Sequence, residues 1–197
     1  MSIEVRTTLY FVRHAESAYV EGQERERGLT DQGRLDAAAV AELLSQEKIQ
    51  WYYSSPYRRA VDTIQELADQ SRAAIVTEED LRERQLSDER VKHADFLEAK
   101  RLLYLEPSYA YPGGESGEQA GSRAAAVIER ILDTHAGQKV AIGTHGDVMT
   151  LIFQHYDTSY GYEFWKCTTM PDIYKLEFNM EHELVQVTRL WQGGEST

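Results

Sequence analysis

The sequence predicts an α/β fold built on a largely parallel sheet, and three observations carry that reading. Short β-branched or aromatic runs alternate with amphipathic helical patterns along most of the chain. Several of those runs stop abruptly at polar residues, as buried strands do at a sheet edge. The last two apolar runs follow one another with period-two alternation and close the chain as a pair of strands.

Taken in order, residues 7–12 (TTLYFV) are short, β-branched and aromatic, and read as a buried strand. Thr30-Asp31-Gln32-Gly33 opens a helix with Thr30 as N-cap, and Leu35, Ala38, Ala39, Leu43 and Leu44 are assigned to its apolar face. Residues 49–53 form a second strand. Pro56 starts a second helix through Ala60, Ile64 and Leu67, since a proline is tolerated in a first turn. Residues 73–76 make a third strand. From about 80 to 117 the alternation breaks into a charged loop (82–92), a helix around 94–104 and a turn at Tyr111-Pro112-Gly113-Gly114. Such a segment reads as a capping insertion within a single domain spanning 1–197. Helical spacing returns over 116–132. Residues 139–143 (KVAIG) are a fourth strand, Thr144-His145-Gly146-Asp147 leads into a helix through Met149, Leu151 and Ile152, and 173–178 and 184–190 are the terminal strands. The aromatic stretch 156–165 fits either a helix or a strand.

Composition narrows the function. The chain has 197 residues, 42% hydrophobic and 27% charged, which suits one soluble globular domain. No apolar run approaches the roughly 20 residues of a membrane-spanning helix. Met1-Ser2-Ile3-Glu4-Val5-Arg6 lacks the apolar core of a signal peptide, and the single cysteine, Cys167, is expected to be a buried thiol; both fit a cytoplasmic setting. A net charge of −12 excludes a general nucleic-acid binder and gives no sign of a membrane partner. The same charge repels anionic substrates at long range, so an anion site must be a local concentration of arginine.

Sites in open α/β sheets form beyond the carboxyl ends of the strands. That rule brings together Arg13-His14, the run Ser54-Ser55-Pro56-Tyr57-Arg58-Arg59, and Thr144-His145-Gly146. Two histidines and arginine at one edge suit a phosphoryl group. Arginine matches its oxygens bidentately, a neutral imidazole is a nucleophile toward phosphorus, a protonated second histidine steadies the equatorial oxygens, and a carboxylic acid protonates the leaving group. Helices beginning near Ala15, Pro56 and Gly146 would add backbone donors.

Arg13-His14-Ala15-Glu16-Ser17 resembles the Arg-His-Gly signature of the histidine phosphatase superfamily, which includes the cofactor-dependent phosphoglycerate mutases. Gly28-Leu29-Thr30-Asp31-Gln32-Gly33 is similar to that family's Leu-Thr-x-x-Gly helix start. Ser55-Pro56-Tyr57-Arg58-Arg59-Ala60-Val61-Asp62-Thr63 is similar to its Ser-x-x-x-Arg-Ala-x-x-Thr segment, and Leu81-Arg82-Glu83 to the segment carrying the acid. Pro112-Gly113-Gly114-Glu115-Ser116 and Thr144-His145-Gly146 complete a resemblance running from residue 7 to about 152. It implies a three-layer α/β/α sandwich around a mostly parallel mixed sheet. It also implies a histidine acid-type phosphomonoesterase needing neither metal nor cofactor, acting on a small phosphorylated substrate through phosphohistidine. By the same resemblance His14 is the nucleophile, Glu83 the acid, and Arg13, Arg59 and His145 bind phosphate.

Two departures stand out. Ala15 replaces the usual glycine after the nucleophile, and Val20 stands where many members have an asparagine, leaving its hydrogen bond to Ser17 or Gln23 as possible substrate-binding residues. Arg58 is expected to pair with a surface carboxylate, Glu16 to orient or cap. His93, His135, His155 and His182 lack metal-ligand spacing, and Tyr156, Tyr160, Tyr162, Phe164 and Trp165 are expected to pack a helix onto the sheet. Arg25, Arg27, Arg84, Lys92 and Arg101 are the candidate selectors of a substrate's second anionic group. A phosphoglycerate-type mutase, a non-catalytic phospho-ligand-binding member and a protein phosphatase stay open as alternatives, as does the oligomeric state. By the same resemblance mutases carry longer inserts around the site, so the short stretch between Glu83 and Ser116 favours hydrolysis over mutase chemistry.

Overall fold

The computed structural model describes residues 5–88 and 91–193. The leader-peptide reading of Met1 to Glu4, and Glu89 and Arg90 of the charged loop, lie outside the described residues. Six strands form one mixed sheet in the order β3-β2-β4-β1-β5-β6. They are β1 (Thr7–Arg13), β2 (Trp51–Ser54), β3 (Ile75–Thr77), β4 (Lys139–Thr144), β5 (Asp172–Phe178) and β6 (Leu184–Arg189). The first four run parallel; β5 pairs antiparallel with β1, and β6 with β5.

The central strands are buried on both faces, and their side chains divide two cores by parity. Leu9 and Phe11 of β1 and Val140 and Ile142 of β4 face helices α4 (Gly117–Thr134) and α5 (Gly146–Tyr156). Tyr10, Val12 and Ala141 face α1 (Asp31–Leu44) and α2 (Arg58–Gln70) on the opposite side. The architecture is the three-layer α/β/α sandwich expected. Among the described residues no helix is long and apolar enough to cross a membrane.

Local signals explain most helix starts. Thr30 caps α1, its hydroxyl accepting from the Gly33 N–H at 3.0 Å. Ser116 and Gln119 form a reciprocal capping box on α4. Three expectations need correction. The buried stripe of α1 is Gly33, Ala37, Val40, Ala41 and Leu44, whereas Leu35 and Leu43 are exposed, because α2 packs one residue round from the assigned face. Helix α2 begins at Arg58 rather than Pro56, since Tyr57 keeps an extended backbone. No helix starts near Ala15, where the chain runs irregularly to Thr30.

The segment at 80–117 starts from inside the core at Leu81 and carries α3 (Phe96–Leu105), capped by Asp95. It docks on α6 (Tyr162–Cys167), which resolves the ambiguous aromatic stretch as partly helical. Tyr156, Tyr160 and Phe164 pack against the sheet core as expected. Tyr162 and Trp165 instead face the inserted helix, at 6.2 Å from Tyr104 and Phe96 respectively. Cys167 is exposed rather than buried, because α6 spends its apolar side on Phe164 and Trp165.

Candidate active site

The site is built where β1, β2 and β4 end. Arg13 is the last residue of β1, paired with Thr144 of β4, and the next backbone N–H, that of His14, donates to the Thr144 carbonyl at 2.9 Å. The Ser55 N–H donates to the Gly143 carbonyl at 2.9 Å, so the ends of β1 and β2 are both tied to β4. His145 follows β4 directly as N-cap of α5. The two imidazoles consequently meet edge to face with ring centroids 5.3 Å apart.

Each functional side chain is held by a particular neighbour. The turn after His14 is pinned by Thr63, whose hydroxyl accepts from the Ala15 N–H at 3.0 Å while donating to the Arg59 carbonyl at 2.7 Å. One turn of α2 therefore couples the phosphate-arginine candidate to the nucleophile candidate. Gly33 is needed because the carbonyl of Glu16 occupies the space a Cβ there would fill. Gly146 likewise makes room for Arg13, whose Cζ would lie 2.8 Å from an added Cβ. Arg13 also donates through Nη1 to the Thr168 carbonyl at 3.1 Å and to its hydroxyl at 2.6 Å.

Hydrogen bonding sets the tautomer of His14. Its Nδ1 faces the Ala15 carbonyl at 2.8 Å, and a carbonyl only accepts, so Nδ1 carries the proton and Nε2 keeps its lone pair. Burial, then the charges of Arg59, Arg13 and Arg27, push the His14 pKa well below the ordinary 6.5 despite the bond to Ala15. Burial and the same positive neighbourhood, beginning with His14, lower His145 as well. In the ligand-free protein the second histidine is thus driven toward neutrality rather than the protonated state expected. His145 Nε2 lies 2.8 Å from the Ser55 hydroxyl, and its Nδ1 has no partner.

Glu83 caps the start of α5. Its carboxylate accepts from the Val148 N–H at 2.8 Å, the Asp147 N–H at 3.2 Å and its neighbour Arg84 at 3.0 Å. Its charge reaches Arg13 and Arg59, which places it at the edge of the same cluster. His14, Arg59 and His145 are 5%, 1% and 0% exposed, so the cluster is recessed. Among the described residues, five buried side-chain polar atoms lack a hydrogen-bond partner, and four belong to this strand edge: Arg13 Nε, Arg59 Nε, Thr144 Oγ1 and His145 Nδ1. Each such orphan costs about 1–3 kcal/mol. Their concentration marks a place prepared for a polar guest.

The other assigned residues divide. Ser17 is brought in, accepting from Arg27. Gln23 is not: it stays exposed on a turn, with its carbonyl accepting from the Glu26 and Arg27 N–H groups. Val20 is exposed and Ala15 is packed with Leu29 and Ala37. Of the charged selectors, Arg25 pairs with Glu79, Arg101 with Glu98, and Arg84 is buried against Asp147; Lys92 is exposed, and the charge of Arg27 bears on both histidines. Arg58 pairs with Asp62 at 3.3 Å, and Glu16 accepts from Thr30 at 2.6 Å, both as expected. His135 is bonded to Tyr53 at 2.9 Å and His182 to Glu129 at 2.8 Å. His93 and His155 pack edge to face on Tyr111 and Tyr156.

Sequence reasoning missed Tyr57, whose ring stands 5.1 Å from His145 and 4.9 Å from the Arg59 guanidinium, and Glu24, which pairs with Arg59. Tyr57 sat inside a recognised run, but nothing distinguished Glu24 from the acidic residues around it.

A family described as the histidine phosphatase superfamily (branch 1) matches residues 9–189. The chain belongs to that superfamily. Phosphoglycerate mutase-like protein 4 of Arabidopsis thaliana is 32% identical over 167 residues, 73% of this chain and 68% of the relative. The metal-independent phosphoserine phosphatase of the same plant is 30% identical over 166 residues, 75% of this chain and 67% of the relative. Among solved structures, Bacillus stearothermophilus YhfR superposes with a TM-score of 0.76 at 25% identity, covering 96% of this chain and 98% of that one. The matched region of this histidine phosphatase superfamily member includes all five residues of the cluster.

Proposed function

We propose that the protein is a phosphomonoesterase that hydrolyses a small phosphorylated metabolite through a phosphohistidine on His14, without a metal ion. The observation that carries this reading is the setting of His14: its Nδ1 is committed to the Ala15 carbonyl, its ring meets that of His145, and burial with the charges of Arg59 and Arg13 holds its pKa below the ordinary value. Relatives named as phosphatases support the hydrolytic half of it.

In this mechanism the two arginines and His145 hold the phosphoryl oxygens while His14 Nε2 forms a bond to phosphorus. The ester P–O bond breaks in line, and the leaving oxygen takes a proton from Glu83. A water then attacks phosphorus and gives its proton to Glu83, and the P–N bond breaks to restore His14. The dianion also supplies the negative charge that lets His145 donate to it as an imidazolium.

A phosphate-release screen across small phosphomonoesters, run with a chelator throughout, tests the proposal. Turnover that survives the chelator and falls on the order of a thousandfold or more in His14→Ala is expected. Normal turnover in that variant would sink the assignment. Isomerisation of phosphoglycerate without release of phosphate would replace hydrolysis by mutase chemistry.

A further inference from the structure

Arg59 is not free. Its Nη1 donates to the Glu24 main-chain carbonyl at 2.6 Å and its Nη2 to the Glu24 carboxylate, at Oε1, at 2.9 Å. The same carboxylate is shared with Arg27, whose Nη2 donates to Oε1 at 2.9 Å and Nε to Oε2 at 3.0 Å. A side-chain anion thus sits between two arginines whose charges both bear on His14 and His145.

One edge of Arg59 that suits a bidentate oxyanion is the Nε/Nη2 edge. Half of it, Nη2, is taken by Glu24, and the other half, Nε, is buried without a partner. The Glu24 side chain is 49% exposed, whereas that of Arg59 is 2% exposed, so the carboxylate lies on the solvent side of the guanidinium. The backbone around it is stapled independently. The Arg58 N–H donates to the Arg25 carbonyl at 2.9 Å, and Arg25 is salt-bridged to Glu79. The carboxylate can therefore swing into water while the main-chain bond to Nη1 keeps Arg59 aimed.

We infer that Glu24 is an intramolecular counter-ion occupying the anion site, which an arriving phosphoryl group displaces from Arg59 and Arg27. This rests on the proposed reading of the site as a phosphoryl site. Displacement exposes the whole Nε/Nη2 edge of Arg59 and frees Arg27 as a further ligand. The exchange has a cost that every phosphate ligand meets, including inorganic phosphate, so the latch weakens product retention as well as substrate binding.

Titration calorimetry of inorganic phosphate into wild-type protein, Glu24→Gln and Glu24→Ala tests the inference, with melting curves confirming that each variant is folded. Removing the competing carboxylate is expected to tighten phosphate roughly twofold to fivefold, the range of a partly exposed ion pair. The isosteric glutamine keeps the main-chain bond to Arg59 and guards against a packing artefact in the alanine variant. Unchanged or weaker phosphate binding in Glu24→Gln overturns the latch and makes Glu24 a fixed support of Arg59. If the wild type meanwhile releases phosphate from an aryl ester, the proposed function stands without the latch. If the wild type neither binds phosphate nor turns over an ester, both fall.

Discussion

The nitrogen that His14 leaves uncommitted is chosen by a backbone carbonyl one residue away, and its pKa is lowered by burial and then by arginines that arrive from α2, β1 and the loop before α1. Glu83 is chosen differently, by the N–H groups that open α5. The proposed roles separate experimentally by leaving group. For an alkyl phosphate, whose oxygen leaves poorly without a proton, Glu83→Gln is expected to slow turnover about a hundredfold to ten-thousandfold. For p-nitrophenyl phosphate, whose leaving group needs no proton, formation of the phosphoenzyme is expected to change by less than about tenfold. Equal losses on both substrates in single-turnover measurements would remove Glu83 from the acid role.

Between elements, one buried carboxylate joins the inserted segment to the sheet. Asp147, in the first turn of α5, is fully buried and bonded to Arg84, to Lys100 and to the Tyr104 hydroxyl. Burial alone would raise its pKa, but Lys100 and Arg84 outweigh it and hold the group below its ordinary 3.8. Because Arg84 follows Glu83 and Asp147 supplies a Glu83 donor, this pin also sets where the candidate acid sits. Asp147→Asn keeps the shape and leaves two buried cations short of a charge. It is expected to lose about 3–5 kcal/mol in chemical denaturation, with the native-state exchange protection of α3 falling first. A loss under about 1 kcal/mol would mean that apolar docking of α3 on α6 holds the segment instead.

Over the whole molecule, the recessed site makes stability depend on pH. His14, His145 and the buried His135 all have folded-state pKa values below the ordinary 6.5, each chiefly through burial. Unfolding lets them take up protons, so their contribution to stability is complete above 6.5 and is lost as pH falls through that value toward the folded pKa. Each group still neutral in the folded state costs about 1.4 kcal/mol per pH unit in that window. The ligand-free protein is therefore expected to melt about 5 °C or more lower at a pH of about 5.5 than at about 7. A flat profile in differential scanning calorimetry would show that these histidines ionise as freely folded as unfolded.

Much of the framework was legible because it rests on local rules. The period-two and helical patterns, the Thr30 cap and the strand ends, read within one residue of Arg13 and Thr144, depend on neighbours in sequence. The strand-end rule then brought Arg13, His14, His145 and the run holding Arg58 and Arg59 to one edge, with Arg59 singled out and Glu83 added by resemblance. What the sequence left open depends on contacts across tens of residues. The buried stripe of α1 is set by α2, and the orientation of Tyr162, Trp165 and Cys167 by the inserted helix. The pairing of Arg84 with Asp147 spans 63 positions, and that of Arg59 with Glu24 spans 35. A charge in a loop carries no sequence mark of its partner, since Coulomb attraction has no period. The sequence by itself determined the family of fold and nominated the residues for a phosphoryl site. Only the tertiary structure decided which arginines face the histidines and which carboxylate already holds them.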